Sequence, residues 1–378
     1  MNKKTIIIMC GSVIGLLILL LIVIWLMSIL SNRYYSYEAV EEKIIEATDK
    51  YYKNNPSMLP VGNAKYNLQY STLVENDYIK PLNELIKDGD NCTADIIVIN
   101  NDGVYTYIPK LSCGESYESK ELYKQVLLNN EIKTTGSGLY QGSDGSYYFR
   151  GKVNNNYVAF GEYEGSRNTE EILWQIISIE PDNTIRMKSL VHAEERTPFD
   201  DRFNEATQDR DGYNDFKNSL LKDYLIDLDK KNLFLSETQK SKLVSKNICS
   251  AKRSETDDTK DGSTECSEKT EESLLFSTMY PYEFMRASLD ENCKNILDRS
   301  CSNFNYLSST SGNSEWSVTA DPVNNKYVYE FIGDTYDLGT AKSEKYVYPV
   351  VTLNEYAFYK SGSGTESDPY RLFKKSTN

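Results

Sequence analysis

The stretch that decides the fold of the first part of the chain is "NCTADIIVINNDGVYTYIPKLSC", residues 91–113. Two apolar-rich runs flank Asp102-Gly103, and an Asp-Gly pair between such runs is a strong signal for a two-residue hairpin turn. If these two residues form the turn, paired residues sum to 205, so Cys92 faces Cys113. Directly opposed residues lie about 4.5–5.5 Å apart at Cα, within disulfide range. The sequence therefore predicts a disulfide-closed hairpin, with two reduced, buried cysteines as the alternative.

The same arithmetic predicts the register of the whole hairpin. Ile99 should face Thr106, and the two residues next to the turn should face each other. Pro109 has no backbone N–H to donate to a strand neighbour. We therefore expect the second strand either to lie at the edge of its sheet or to contain a bulge.

The N-terminal residues predict a membrane anchor. The run from Thr5 to Leu30 is uncharged, follows Lys3 and Lys4, and exceeds the roughly 20 residues that span a bilayer. A cleaved signal peptide is the alternative, but its apolar core is usually about 7–15 residues long. The sequence predicts a transmembrane helix in residues 1–30, contacting the membrane through residues 5–30. The positive-inside rule then predicts a single-pass cell-membrane protein with a cytoplasmic N-terminus and extracellular C-terminal domains.

The cysteines beyond this anchor would lie in an oxidising compartment, and their even number favours disulfides. Pairing sequence neighbours is the economical choice among fifteen pairings. A zinc site is the rival interpretation, but there is no C-x-x-C motif and His192 is the only histidine. We expect no metal and no cofactor. The predicted disulfide residues are Cys92, Cys113, Cys249, Cys266, Cys293 and Cys301.

Composition narrows the class of partner. The formal net charge is −14, which argues against nucleic acid as a partner. The chain has 30 tyrosines against 12 phenylalanines, and tyrosine suits β-rich surfaces and shallow binding faces because its ring can be buried while its hydroxyl stays wet. Strand propensity alone also explains this excess, and we weight that explanation more heavily.

Residues 31–115 resemble a known class of domain. Val40, Ile44, Ala47 and Tyr51 form one stripe of a predicted helix. The segments "EEKIIEATDKYYKNNPSMLP", "LVENDYIKPL" and "VYTYIPKLSC" resemble the pilin-like ectodomains of Gram-positive surface proteins. The resemblance implies a helix packed on a small sheet. The chain lacks the glycine-hydrophobic processing site with its following glutamate, so the resemblance implies the shape and not assembly into a pilus.

The rest of the chain predicts a linker and a second domain. Residues 116–136 are polar and end near Gly136, which is typical of a linker that has room for one short helix. After them, "WQIISIEPDNTIRM" predicts two strands, "NDFKNSLLKDYLIDL" a helix capped by Asn214 or Asp215, and "SETQKSKLV" a short helix capped by Ser236. The spacer between Cys249 and Cys266 is almost free of apolar residues and cannot order itself by burial.

The order of these segments resembles a domain of unknown function found on anchored Gram-positive surface proteins. Its pattern is related to the C-type-lectin-like fold, which formylglycine-generating enzymes share. The carrying segments are "YYFRGKVNNNYVAFG", "WQIISIEPDNTIRM", "GYNDFKNSLLKDYL", "YVYPVVTL" and "GSGTESDPYRL", and the resemblance covers residues 137–372. The expected fold class is α+β: a transmembrane helix, a pilin-like α+β domain and a C-type-lectin-like α+β domain over residues 137–378.

Catalytic chemistry finds little support in the residues. Formylglycine-generating enzymes use active-site cysteines, whereas the cysteines here are better explained as structural pairs. A serine triad would need His192, and no G-x-S-x-G motif occurs. The segment from Asp209 to Asp215 clusters oxygen ligands that could suit calcium, but its glycine is misplaced for an EF-hand and solvated loops commonly have this composition. We expect a protein that is not an enzyme.

Two function classes remain from sequence alone. The first is a membrane-anchored extracellular binding or adhesion protein, with a glycan or a protein as its ligand and the pilin-like region as its stalk. The second is a pseudopilin-like subunit of a cell-envelope assembly, in which the N-terminal helix packs against others. Self-assembly through residues 1–60 would favour the second, and a monomer that binds glycans would favour the first.

Overall fold

The computed structural model describes residues 34–62, 65–101, 103–164, 169–290, 293, 305–308 and 312–373. The chain divides into two compact units, of which the first ends at Ser119 and the second spans Lys120–Lys374. Both units mix helices with mainly antiparallel sheets. The α+β class is therefore observed in each unit.

The first unit packs one long helix on a small sheet. Helix α1 (Tyr37–Asn54) begins at the cap Ser36, whose side chain accepts a hydrogen bond from the Ala39 N–H, and it packs against the third strand. The predicted apolar stripe of α1 is buried. The remaining elements are β1 (Lys65–Gln69), α2 (Tyr70–Glu75), α3 (Leu82–Leu85), β2 (Thr93–Asn101) and β3 (Val104–Ser112), with the strands in the order β1-β2-β3.

The hairpin has the predicted register. Pairing of β2 with β3 runs without a shift from Thr93 opposite Ser112 to the residues beside the turn, so opposed residues sum to 205 throughout. A disulfide joins Cys92 to Cys113, with 4.0 Å between their Cα atoms. Pro109 lies in β3, an edge strand of the sheet. The edge-strand alternative is therefore correct, and the missing N–H of the proline interrupts no ladder.

A carboxylate is buried beneath this sheet. Glu41 in α1 has no exposed surface, and its side chain accepts hydrogen bonds from the Tyr117 hydroxyl at 2.7 Å and from the Ser119 hydroxyl. Burial raises the pKa of Glu41 to about 7, although both hydroxyls act in the opposite direction. The charged form of Glu41 is therefore disfavoured in the folded first unit.

The predicted transmembrane helix requires a correction. No helix in the described part of the chain is long and apolar enough to cross a bilayer. The longest, α1, has the necessary length but contains eight charged residues, each of which costs about 2.5–3.5 kcal/mol at a membrane centre. Neither a transmembrane element in the fold class nor a single-pass membrane location is supported. Residues 1–30, where the helix was predicted, lie outside the described residues.

The second unit is built on an eight-stranded sheet. Its strands are β4 (Gly138–Gln141), β5 (Tyr147–Arg150), β6 (Tyr157–Glu164), β7 (Thr169–Ile179), β8 (Ile185–Ser189), β16 (Val350–Leu353), β17 (Tyr359–Ser361) and β18 (Tyr370–Leu372). The main path through the sheet is β16-β8-β7-β6-β18-β17, and β5 pairs with both β4 and β7. All pairs are antiparallel except β18 with β6.

Smaller sheets and short helices complete the second unit. Strands β12, β13 and β14 form one sheet, β10 pairs with β11, and β9 pairs with β15. Trp174 and Trp316 are among the largest side chains in its core. The elements are α4 (Leu122–Asn129), β9 (Thr197–Pro198), α5 (Leu220–Lys230), α6 (Glu237–Lys240), β10 (Lys246–Cys249), β11 (Lys269–Leu274), α7 (Pro281–Ala287), β12 (Ser314–Ala320), β13 (Tyr327–Ile332), β14 (Thr335–Thr340) and β15 (Glu344–Lys345).

Two local features differ from the sequence-based expectation. The segment predicted as a linker, residues 116–136, contains α4, whose Leu122 and Val126 are fully buried in the core of the second unit. Their four-residue spacing places both on one face of a helix. Helix α5 is capped by Ser219, while Asp215 caps a preceding 3₁₀ turn. The polar composition of these segments concealed the few apolar residues that anchor them.

Candidate functional site

The segment closed by Cys249 and Cys266, which we call the cysteine loop, forms one side of the candidate site. A disulfide joins the two cysteines, with 4.4 Å between their Cα atoms. Gly262 in this loop has a φ of +84°, and a Cβ added there would lie 2.9 Å from Cζ of Tyr282. The loop backbone therefore rests directly on a tyrosine ring at a position that only glycine fills without strain.

A buried arginine takes the place of an apolar core inside the cysteine loop. Arg253 has no exposed surface; its Nη1 donates to Oε1 of Glu265 at 2.9 Å, and its Nη2 donates to the carbonyl oxygens of Thr259 at 2.6 Å and Asp257 at 3.0 Å. Glu265 is equally buried, and its pKa lies above its ordinary value because desolvation outweighs the charge of Arg253. The loop is thus ordered by charge-assisted hydrogen bonds.

A second polar contact fixes the tip of the loop. Oδ1 of Asp257 accepts hydrogen bonds from the N–H of Thr259 at 2.9 Å and from its hydroxyl at 2.6 Å, while Oδ2 accepts from the Thr264 hydroxyl at 2.6 Å. Burial opposes ionisation of Asp257, but these hydrogen bonds outweigh it and hold the pKa below its ordinary value. The loop segment between these residues is therefore held in one conformation.

A cleft of about 560 Å³ lies between this loop and the β4–β5 turn. Its size is in the range of about 300–1,000 Å³ typical of small-molecule sites. Residues 142–146 form one wall and residues 259–263 form the other, while Tyr148, Arg150 and Arg286 line the space between them. Every lining residue belongs to the second unit.

The two walls are built from the same tripeptide. Asp144-Gly145-Ser146 and residues 261–263 both read Asp-Gly-Ser, and both glycines have a positive φ, +86° and +84°. In the first wall, Oδ1 of Asp144 accepts from the Ser146 N–H at 3.0 Å and from its hydroxyl at 2.7 Å. In the second, Oδ1 of Asp261 accepts from the Ser263 N–H at 2.9 Å. Each turn thus leaves the Oδ2 of its aspartate without a hydrogen bond to the described residues.

Two cations of the cleft have no carboxylate bound to them. The Arg286 guanidinium carbon lies 4.3 Å from the ring centroid of Tyr148 and 5.4 Å from that of Tyr282, and the group makes no hydrogen bond or ion pair with a described residue. Lys260 likewise has no ion pair within the described ranges. Burial, followed by the charge of Arg150, lowers the pKa of the Lys260 ammonium. Both groups can therefore donate hydrogen bonds to an acceptor on a ligand.

The charges of the cleft act on one another at longer range. Burial raises the pKa of Asp144, but hydrogen bonds from Ser146 outweigh it and hold that pKa below its ordinary value, with a smaller contribution from the charge of Arg286. Hydrogen bonds from Ser263 lower the pKa of Asp261, and Arg286 again contributes less. Arg150 donates to the carbonyl oxygen of Ser288 at 2.8 Å and stacks on Tyr140 at 4.8 Å. At neutral pH the cleft therefore presents both fixed carboxylates and cations that no described carboxylate pairs with.

The structure contains two of the predicted disulfides, Cys92–Cys113 and Cys249–Cys266. Cys293 is also disulfide-bonded, and Cys301, its predicted partner, lies outside the described residues. The first disulfide closes the hairpin of the first unit. The second lies at the cleft, which Cys266 helps to line.

The other residues that the sequence singled out lie outside the cleft. His192 Nδ1 lies 2.7 Å from the Ala193 carbonyl oxygen, and its ring centroid is 4.3 Å from that of Tyr346, so the structure shows no nucleophile beside it in the described residues. In the acidic segment, Asp211 forms ion pairs with Lys342 at 2.6 Å and Lys326 at 3.4 Å. No group of three or more potential metal-ligating side chains occurs in the described part of the chain.

The comparison with known proteins gives no relative: no family model, no curated protein and no solved structure matches this chain. The cleft itself was missed by sequence reasoning. The signal that could have revealed it is the repeated Asp-Gly-Ser, which appears twice in the second unit about 117 positions apart, at Asp144 and Asp261. Arg286 gave no sequence signal, because only the fold brings it between the two turns.

Proposed function

We propose that this protein is a non-catalytic binding protein of an extracytoplasmic compartment, and that its second unit binds a ligand in the cleft. The observation that carries the proposal is a pair of cations, Arg286 and Lys260, that form no ion pair with a described residue and lie in a cleft with two ordered walls. The disulfides support the compartment, since they persist mainly where the environment is oxidising. In this proposal the C-type-lectin-like pattern belongs to the ligand-binding unit and the pilin-like pattern to a spacer.

Binding explains the cleft better than catalysis does. The Asp144 and Asp261 carboxylates have lowered pKa values and are held by their own turns, which suits fixed acceptors and not a general acid. The hydroxyl of Ser146 donates to Asp144 and so is committed to its turn. The described cleft residues include no histidine or free cysteine to act as base or nucleophile. What remains is a set of preorganised donors and acceptors.

Assembly through an N-terminal helix, the pseudopilin-like alternative, gains no support from α1. Its apolar stripe is covered by the sheet of its own unit, with Val40 and Ile44 fully buried, so this face offers nothing to a second copy. The rest of the predicted assembly segment, residues 1–33, lies outside the described residues. We therefore base the proposal on the second unit.

A ligand screen with a blocked cleft tests this function. The full chain is screened by ligand-induced shifts in melting temperature against acidic, neutral and basic saccharides and against peptides, since a ligand that binds only the folded state raises its stability. Ser263→Trp fills the cleft from an exposed position in its lining. Ser245→Trp is the matched control, because Ser245 is exposed and lies outside the cleft.

The expected result is a ligand that stabilises the parent chain and the Ser245→Trp variant but not the Ser263→Trp variant. A ligand that stabilises all three equally would bind elsewhere and contradict the proposal. The absence of any ligand from a panel that covers these classes would also contradict it.

A further inference from the structure

We infer that the ligand of the cleft is an acidic saccharide, a polyhydroxylated ring that bears a carboxylate. The inference rests on the proposed function and adds the chemical class of the ligand. It assigns the carboxylate to Arg286 and Lys260, and the hydroxyl groups to the free oxygens of Asp144 and Asp261.

The cations define the first requirement. Arginine presents five N–H donors in a planar fork that matches a carboxylate, and the Arg286 guanidinium, which lies over the rings of Tyr148 and Tyr282, donates to no described residue. Lys260 adds a partly buried ammonium whose charged form is disfavoured without a partner. An anionic group in the cleft would supply both with an acceptor, which no described residue provides as a carboxylate, through charge-assisted hydrogen bonds.

The aspartates define the second requirement. Three cations, Arg150, Lys260 and Arg286, face two carboxylates in the cleft, so a bare inorganic anion would meet repulsion from Asp144 and Asp261 as well as attraction. The Oδ2 atoms of these carboxylates accept no hydrogen bond from a described residue, so they can accept hydrogen bonds from donors on a ligand. Hydroxyl groups donate to ionised carboxylates in short, strong hydrogen bonds. A ligand with one acidic group and several hydroxyls satisfies all of these groups at once.

The aromatic rings argue against nucleotides and other flat anions. Tyr148 is stacked by Arg286 and has the ring of Tyr140 at 6.2 Å. Tyr282 is stacked by Tyr280 at 5.6 Å and covered by the backbone of Gly262. Stacking on an open aromatic face is the usual way to hold a nucleobase. Tyr148 is the one tyrosine among the described residues that line the cleft, and Arg286 already stacks on its ring, so the polar groups of the cleft supply most of its specificity.

Calorimetric titration of the full chain tests this inference. The probes are uronic-acid and sialic-acid oligosaccharides, their carboxyl-reduced neutral counterparts and inorganic sulfate. We expect binding of an acidic oligosaccharide, with the neutral counterpart weaker by roughly 10- to 100-fold, since hydrogen bonds to charged groups contribute more than neutral ones. Sulfate should bind more weakly than the acidic sugar.

The variants separate the two halves of the recognition. Arg286→Gln should weaken acidic-sugar binding by roughly 10- to 100-fold, and Arg286→Lys, which keeps the charge and loses the fork, should recover part of it. The matched control is Arg196→Gln, which removes an arginine stacked on Tyr346 at 4.6 Å outside the cleft. Asp144→Asn should weaken binding of the acidic sugar but strengthen binding of sulfate, because it removes a negative charge that repels the anion. Unchanged unfolding midpoints verify that the variants are folded.

The outcomes distinguish this inference from the function on which it rests. A neutral saccharide or a peptide that binds in the cleft and is blocked by Ser263→Trp would overturn the acidic-sugar assignment and leave the binding function standing. Sulfate that binds as tightly as the sugar would overturn the role of the hydroxyl groups. Acidic oligosaccharides that bind Arg286→Gln as well as the parent chain would overturn the role of Arg286.

Discussion

The buried pair inside the cysteine loop gives the sharpest prediction about stability. Glu265→Gln removes the carboxylate that accepts a 2.9 Å hydrogen bond from Arg253, and both side chains are completely buried. The guanidinium keeps its two backbone carbonyl acceptors and a longer ion pair with Asp257 at 3.4 Å, but it loses its only fully buried counter-charge among the described residues. Leaving a buried charge without any partner costs about 3–5 kcal/mol, and the contact with Asp257 offsets part of that cost. We expect the free energy of unfolding of the second unit to fall by more than about 1 kcal/mol and at most by that amount.

An exposed ion pair provides a matched control, because the same Glu→Gln substitution can be made there without burying a charge. Glu268 forms an ion pair with Lys217 at 3.0 Å, and 64% of its side chain is exposed. Glu268→Gln should therefore cost less than about 1 kcal/mol. The double variant Arg253→Met/Glu265→Gln should recover most of the loss, because no unpaired charge remains buried.

Urea unfolding followed by tryptophan fluorescence measures the difference. Trp174 and Trp316 are both buried in the second unit, and Trp25 lies outside the described residues. A lower midpoint at constant slope reports lost stability rather than a changed denatured state. Equal losses of below 1 kcal/mol for Glu265→Gln and Glu268→Gln would refute the reasoning, since burial would then make no difference.

Three further predictions concern other positions. The folded-state pKa of Glu41, about 7, exceeds its ordinary 4.5, so its contribution to the stability of the first unit is present below pH 4.5 and is lost as the pH rises through 7, by roughly 3 kcal/mol. Glu41→Gln should abolish this loss, measured by hydrogen exchange of α1 and β2 at pH 4 and 8, and an unchanged pH dependence would contradict the prediction. Replacing Cys249 and Cys266 by serine should lower the free energy of unfolding of the second unit by about 3 kcal/mol, measured by urea unfolding, because their disulfide closes a loop with a separation of 17 residues. A loss below 1 kcal/mol would contradict this and show that Arg253 alone orders the loop. Gly212→Ala would place a Cβ 1.8 Å from the Asp200 carbonyl oxygen at a φ of +72°. It should therefore lower the free energy of unfolding by more than about 2 kcal/mol or prevent expression of a folded protein. A melting temperature within 2 °C of the parent chain would contradict this backbone conformation.

The parts of the fold that the sequence predicted are those set by local rules. The Asp-Gly turn alone determined the hairpin register, because a two-residue turn fixes every pair behind it. The stripe of α1 and the cap at Ser236 were equally readable. A short helix in residues 116–136 was also expected, but its attachment to the core of the second unit was not, because only two residues of α4 are fully buried and the flanking sequence is polar. The order of strands in the large sheet depends on contacts between distant segments, which no local pattern encodes.

The candidate site was less predictable than the fold. The cysteine loop looked unable to order itself, because its composition offers no apolar core. The structure shows that Arg253 and Glu265 provide the order by pairing in its interior. A single arginine in a polar loop cannot be distinguished from a solvated one by sequence, since the difference lies in burial. The same holds for Arg286, whose two tyrosine neighbours come from β5 and from its own helix.

The most direct test of the central claim is a crystal structure of the full chain soaked with an acidic oligosaccharide that binds in solution. We predict that the sugar lies between the two Asp-Gly-Ser turns, with its carboxylate within about 3 Å of the Arg286 guanidinium, the distance of a charge-assisted hydrogen bond. Electron density for the sugar on any other surface, with the cleft holding only solvent, would contradict the account.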